Sequence, residues 1–284
     1  MLWKSTRFYL HVGVSTPVRE FSEDYLRRTR SGMWADSRDA LEPLALEARD
    51  RVLDVGCGTG ELSRVLDAES PGRVIGCDAD RELLAAAREH VPVVAGDALE
   101  LPFADDAFDL VVCQALLINL PDPAAAIGEF ARISTTLVAA IEPDNGAVDV
   151  NSSVDAEESL ERRARRAYLD GVGTDVTLGA DAKAAFTEVG LDVPETRRYD
   201  QVRTIEPPYD EHAMTIARRK ATGAGLADDR ATLLDGSLTE REYDELRSGW
   251  REMGRAVIDQ MGDRAYRRTE TVPFYVTVGR VSER

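Results

Sequence analysis

Lysine is nearly missing from this 284-residue chain. Of 35 basic residues only Lys4, Lys183 and Lys220 are lysines, set against 52 aspartates and glutamates and a formal net charge of −17. Cysteine is scarce too: Cys57, Cys77 and Cys113 cannot build a disulfide framework, which excludes the small stapled secreted domains. No fourth thiol and no C-x-x-C spacing are present, so no metal site is expected and the thiols read as small, buried and inert. No run approaches the ~18–20 apolar residues of a membrane span. The first ten residues carry Lys4 and Arg7 but no compact apolar stretch ending in a small-residue cleavage site, so no export signal is expected and a reducing cytoplasm fits.

The carboxylate excess argues against nucleic acid at ordinary salt, where phosphate is repelled. At molar salt the Debye length falls to about 3 Å and that argument weakens. Acidic residues run along the whole chain rather than forming one block, so the charge is read as halophilic, a surface adapted to salt, rather than as a face for a cationic partner. Hydrophobic residues make up 43%, ample for a sizeable core. At roughly 150 residues per domain, the length allows one large domain or one with a substantial insertion.

Residues 1–50 read as a polar N-terminal arm with a helix-like run over 37–48. From Arg51 short apolar runs alternate with helical patterns: 51–55, 61–67, 73–77, 81–90, 93–95, 108–113, 123–133 and 136–141. Such alternation predicts βαβ units and a parallel sheet with helices on both faces. After Asn145 it stops. Helices are expected over 159–169, 180–189 (closed by Gly190), 211–223 and 240–261, the last opened by the capping box Thr239-Glu240-Arg241-Glu242. Residues 191–202 supply a sixth strand and 272–278 a last one. The helical block at about 203–268 reads as a cap inserted into the sheet domain 51–284.

The most informative segment is Val52-Leu53-Asp54-Val55-Gly56-Cys57-Gly58-Thr59-Gly60. An apolar strand runs into three alternating glycines and then a helix. Glycine permits φ > 0 and lets backbone lie against a ligand. The spacing is not the G-x-G-x-x-G of dinucleotide sites, and Glu61 stands where the third glycine would fall, next to the place of a pyrophosphate. The Lys-Ser/Thr of a phosphate loop is absent. A nucleoside without phosphates and with positive charge, such as S-adenosylmethionine (SAM), suits the loop better.

This segment resembles the first motif of the class I SAM-dependent methyltransferases, and the resemblance continues in order. Asp78, 22 residues past Gly56 and followed by Ala79, is similar to the acid that accepts both ribose hydroxyls. Gly96-Asp97-Ala98-Leu99-Glu100-Leu101-Pro102-Phe103 resembles the adenine-binding segment, which implies Asp97 at the exocyclic amine and Ala98 beside the ring. Phe108–Gln114 resembles the fourth strand, with Gln114 approaching the methionine part, and Ile141-Glu142-Pro143 the end of the fifth. The likeness covers about 51–145, loosely 178–202 and 272–278, and is nearest to the small-molecule branch that includes quinone-ring methyltransferases. It implies a seven-stranded, mostly parallel Rossmann-like sheet with an antiparallel last strand. SAM is the implied cofactor, bound by Asp54, Gly56, Cys57, Gly58, Gly60, Asp78, Ala79, Asp97, Ala98 and Gln114, and a small-molecule methyl acceptor is the implied partner. Asp54 lies inside the first strand and is expected to brace the loop rather than touch the ligand.

The sequence also departs from the family. Ile118 and Asn119 stand before Leu120-Pro121-Asp122, where a histidine pair is common, so any role of those histidines is lost or moved. No Asn/Asp-Pro-Pro-Tyr follows the fourth strand, which argues against nucleic-acid or glutamine N-methylation. Methyl transfer needs mostly alignment, with a base only for a protonated acceptor. His11, Tyr25, Trp34, Tyr168, Tyr209 and His212 are available, none singled out by spacing, and no catalytic residue is assigned. Arg30, Met33 and Trp34 are expected near the methionine end. The arginines at 162, 163, 165 and 166 read as a solvated helix face paired with Glu157, Glu158 and Glu161. An NAD(P)-dependent oxidoreductase on the same sheet, and a non-catalytic SAM-binding regulator, stay open as alternatives.

Overall fold

A computed structural model describes residues 23–30, 33–35 and 37–282, and the side chains of 24, 25, 27 and 28 lie outside that description. His11 and the side chain of Tyr25 therefore fall outside the described residues. In chain order the elements are α1 (Glu23–Arg30), β1 (Arg51–Val55), α2 (Glu61–Glu69), β2 (Arg73–Asp78), α3 (Arg81–Ala87), β3 (Val93–Ala95), β4 (Phe108–Gln114), α4 (Pro123–Ile133) and β5 (Ser134–Pro143). There follow β6 (Asp149–Ser152), α5 (Asp155–Gly171), α6 (Ala182–Glu188), β7 (Asp192–Ile205), α7 (Glu211–Thr222), α8 (Ala224–Asp228), α9 (Arg230–Asp235), α10 (Glu240–Gly262) and β8 (Arg268–Arg280). The chain divides into two compact units. One contains Phe21–Asp144, Thr177–Tyr199 and Pro273–Arg284, the other Asn145–Val176 and Asp200–Val272.

The first unit is the α/β unit. Its sheet runs β3-β2-β1-β4-β5-β8. β1 pairs in parallel with β2 (Val55 opposite Cys77) and with β4 (Val55 opposite Cys113), and β4 with β5. β8 runs antiparallel to β5, with Pro143 opposite Phe274, and β7 pairs with β8 in turn. The central strands are buried on both faces, as parallel strands between helices must be, and so read as nearly unbroken apolar runs. Strand order reverses at β1, whose neighbours are β2 on one side and β4 on the other. In open α/β sheets ligands bind outside the carboxyl ends of the strands at that reversal. Local chemistry starts the helices. Asp80 caps α3 by accepting from Glu82 N and Leu83 N, and Asp122 caps α4 through Ala125 N with Pro123 in the first turn. The helix-like run over 37–48 is instead two 3₁₀ turns, Asp39–Leu44 and Leu46–Ala48. Pro43 lies inside the first, and Ala45 at φ +48° separates them.

The other unit is mainly helical. Tyr168, Tyr243, Leu246, Trp250, Met253, Val257 and Tyr266 form its buried core. The apolar stripe at helical spacing on α10 faces inward, and the capping box at Thr239 and Glu242 is complete. Gly254 lets α10 approach α7, since a Cβ there would lie 2.2 Å from Ala221 N. Two features differ from the sequence reading. β6 is an eighth strand, pairing Asp149–Ser152 with Thr271–Arg268, and its one apolar residue, Val150, gave no alternation to detect. The α5 arginines and glutamates do not form one solvated face. Arg162 pairs with Glu158 at the surface, but Glu157 and Glu161 are fully buried. Both bind Lys220 Nζ, at 2.7 Å for Glu161, while Arg268 donates to Glu161 Oε2 at 2.8 Å and Tyr266 donates to Glu157.

Candidate active site

The glycine loop sits at the carboxyl end of β1. Gly56, Gly58 and Gly60 adopt φ of +69°, +53° and +83°, conformations that a side chain strains. A Cβ on Gly58 would stand 2.8 Å from Leu26 Cδ1, and one on Gly60 3.2 Å from Ala87 Cα. Gly56 N and Cys57 N both donate to Cys77 O, tying the loop to the end of β2. Gly60 opens α2 with no side-chain cap, so the first N–H groups of that helix look toward the loop.

Asp78 ends β2 beside this loop. Its Oδ2 accepts from Gly58 N and its Oδ1 from Asp80 N, each at 2.8 Å. An ionised carboxylate has about four acceptor positions, so acceptor capacity is left beside the loop for a hydroxyl donor. Burial pushes its carboxyl upward, opposed by these N–H bonds. Ala79 is exposed next to it. Asp97 is exposed on the turn after β3, where Oδ1 accepts from Leu99 N, and Ala98 beside it is buried. The structure thus brings Gly56, Cys57, Gly58, Gly60 and Asp78 together, with Asp97 and Ala98 on the turn that follows the neighbouring strand.

Asp54 does not face the loop's ligand side. It is 1% exposed, and its Oδ2 accepts from Ser63 Oγ at 2.5 Å, linking β1 to α2 beneath the glycines. Burial pushes its carboxyl up to about 7, partly offset by the Ser63 hydrogen bond. The three cysteines are free and buried, and burial raises each thiol. Such thiols are poor nucleophiles. Among the described residues no group of three or more His, Cys, Asp or Glu side chains could hold a metal.

Gln114, at the end of β4, is already engaged. Its Nε2 lies 2.8 Å from Met33 Sδ, and its Oε1 accepts from Trp34 Nε1 at 3.4 Å. Trp34 packs on Tyr199 with ring centroids 4.7 Å apart, and the Tyr199 hydroxyl donates to Met33 O. Arg30 lies over the Phe274 ring, 5.7 Å from its centroid. Met33 and Trp34 therefore lie against Gln114 at the carboxyl end of β4. Tyr199 carried no sequence signal. Of the remaining candidates, Tyr168, Tyr209 and His212 belong to the helical unit, where Tyr209 donates to Tyr266 O at 3.0 Å.

Sequence reasoning also missed the place of Glu142. It is fully buried at the end of β5. Its Oε1 accepts from Leu116 N and Leu117 N, at 3.1 and 3.0 Å, and its Oε2 from Ile118 N at 3.3 Å. One signal was present: a lone carboxylate ending an otherwise apolar strand. Thr59, inside the glycine loop, is buried with its hydroxyl unpartnered among the described residues.

A parallel sheet that reverses at β1, a glycine loop there and an acid ending β2 make up a Rossmann-like fold of the class I methyltransferase type. Comparison with known proteins agrees: residues 53–136 match the family model described as a methyltransferase domain. A demethylmenaquinone methyltransferase from Corynebacterium kroppenstedtii is 40% identical over 98 residues, 34% of this chain and 41% of that protein. A 2-phytyl-1,4-naphtoquinone methyltransferase from Synechococcus elongatus is 34% identical over 128 residues, 41% of this chain and 54% of that one. The chain thus spans about half the length, or less, of these relatives. The solved structure of the YcgJ protein from Bacillus subtilis aligns with a TM-score of 0.48 at 17% identity, covering 86% of this chain and 97% of that one.

Proposed function

We propose that the chain is a SAM-dependent methyltransferase acting on a small apolar ring compound of the quinone kind. The observation that carries the reading is the pairing of the positive-φ glycine loop with Asp78, a carboxylate that keeps acceptor capacity beside it. The residues fit the group. The glycines leave room for a ribose and a methionine tail against the backbone, and Asp78 can accept from both ribose hydroxyls. Asp97 and Ala98 lie on the next turn for adenine, and Thr59 offers an unpartnered hydroxyl. Glu61 at the head of α2 disfavours a pyrophosphate there, which supports a nucleoside without phosphates over a dinucleotide.

Bound SAM supplies an activated methyl group on a sulfonium. What the chain must add is alignment and exclusion of water, worth up to ~7–11 kcal/mol when the geometry is right. Gln114, with Met33 and Trp34 on it, occupies the end of β4 where the methionine part would lie. The acceptor class follows the names of the quinone methyltransferases that are 34–40% identical to part of this chain. The test is transfer of labelled methyl from SAM to demethylmenaquinone reduced in the assay, with mass analysis of the product. A product heavier by one methyl group is expected. Failure of that acceptor, and of every fraction of a cell extract, to take up label while SAM binds would favour a regulator instead.

A further inference from the structure

The turn that follows β4 is held by a set of hydrogen bonds, and one carboxylate accepts three of them. Ala115 sits at φ +49°, a left-handed conformation that costs a non-glycine residue of the order of 1 kcal/mol or more. Its N–H donates to Ile141 O at 2.9 Å, and its carbonyl accepts from Asn119 Nδ2 at 2.9 Å. Glu142 then takes the next three N–H groups, those of Leu116, Leu117 and Ile118. Leu116, fixed in this way, packs on the glycine loop: a Cβ on Gly56 would stand 2.9 Å from its Cδ1. Gln114, one residue before the turn, faces Met33 and Trp34.

We propose that Glu142 is a positioning residue for the cofactor: its ionised carboxylate holds the 115–119 turn, which sets Leu116 on the glycine loop and Gln114 at the crevice, so that cofactor affinity follows the ionisation of this one buried group. The proposal rests on the SAM-binding reading above.

The ionised form accepts three N–H donors, and hydrogen bonds to a charged acceptor are roughly twice as strong as neutral ones. Protonated at Oε2, the group points a donor at the Ile118 N–H, which is itself a donor, and that contact is lost. Burial pushes the Glu142 carboxyl up to about 7, partly offset by its three N–H bonds and by the Arg30 charge, so both forms are populated near neutrality. The other groups facing it are the Cys113 thiol on β4, 3.8 Å from Oε1, and Tyr275, its register partner on β8. Asp54 on β1 acts on the same Cys113 thiol from the other side. None of these replaces Glu142 as acceptor for the turn.

If SAM binds only the ionised form, affinity falls about tenfold for each pH unit below 7, and the proton is released on binding. The test is calorimetric titration of the full chain with SAM at pH 6 and pH 8, in two buffers of different ionisation enthalpy, for the wild type and Glu142→Gln. The amide imitates the protonated acid, with one carbonyl oxygen and one donor, and removes a buried charge. The wild type is expected to bind SAM about tenfold more weakly at pH 6 than at pH 8, and to release close to one proton per SAM at pH 6. Glu142→Gln, which has no ionised form, is expected to bind SAM at pH 8 more weakly than the wild type does at pH 6, with no pH dependence from this group and with the proton release lost. Equal affinities and equal proton release in the two proteins would overturn the proposal while leaving SAM binding intact, as would absence of proton release in the wild type. Absence of SAM binding at either pH in the wild type would instead overturn the functional reading, and the proposal with it.

Discussion

Replacing Asp54 with Asn should make the protein more stable at alkaline pH and remove most of one pH dependence. Asp54 is buried inside β1, and its Oδ2 accepts from Ser63 Oγ at 2.5 Å. Burial is the largest influence on its carboxyl and the nearby Asp78 charge adds to it, lifting it from an ordinary 3.8 to about 7 against the Ser63 bond. The sign follows from linkage. The folded state holds this proton between about pH 4 and 7 whereas the unfolded chain releases it, so stability falls as pH rises through that window. A displacement of that size amounts to about 4 kcal/mol in full, at 1.36 kcal/mol per pH unit, of which about 3 kcal/mol falls between pH 5 and pH 8. Asparagine keeps an oxygen for the Ser63 hydroxyl and carries no charge. Its amide N–H, like the O–H of the protonated acid, lacks an acceptor there, at a cost of about 1–3 kcal/mol. Urea unfolding followed by circular dichroism at pH 5 and pH 8 should therefore show Asp54→Asn gaining on the wild type by about 3 kcal/mol as pH rises. A stability difference independent of pH would refute the reasoning.

Lys220→Met keeps the aliphatic stem near Trp250 but leaves Glu157 and Glu161 short of a cation in the buried core of the helical unit. Breaking such a pair costs about 3–5 kcal/mol. Urea unfolding should show that loss, and adding Glu157→Gln should recover part of it. Gly60→Ala places a methyl at φ +83° and 3.2 Å from Ala87 Cα, a tight approach to backbone. It should lower stability by about 1–2 kcal/mol on conformational grounds alone, seen as a fall in the thermal midpoint, and should weaken SAM binding as well.

Much of the α/β unit is legible in the sequence because its physics is local. Buried parallel strands are short apolar runs, and the helices between them are opened by Asp80, Asp122 or a glycine loop. The loop itself stands out because positive φ at three alternate positions leaves glycine as the residue without strain. What is not legible depends on partners far along the chain. Glu157 and Glu161 have the spacing of an exposed helix face, and only Lys220 and Arg268, brought in by α7 and β8, turn them into a buried network. β6 owes its pairing to β8 rather than to its own polar sequence. Tyr199 reaches Met33 across 166 positions, and Glu142 reaches the turn after β4 from the end of β5, contacts that no spacing rule connects. Gln114 was legible as a residue at the strand's edge, but its engagement with Met33 and Trp34 was not.

The account rests on SAM binding at the glycine loop with Asp78 as the ribose acid. Calorimetric titration of the full chain with SAM and, in parallel, with NAD measures this directly, using the wild type and Asp78→Asn. Two charge-assisted hydrogen bonds at about 1.5–3 kcal/mol each imply that Asp78→Asn weakens SAM binding by about 100-fold or more. The account predicts SAM binding to the wild type, that loss in the variant and no heat with NAD. Binding of NAD without SAM, or unchanged SAM affinity in Asp78→Asn, would contradict it.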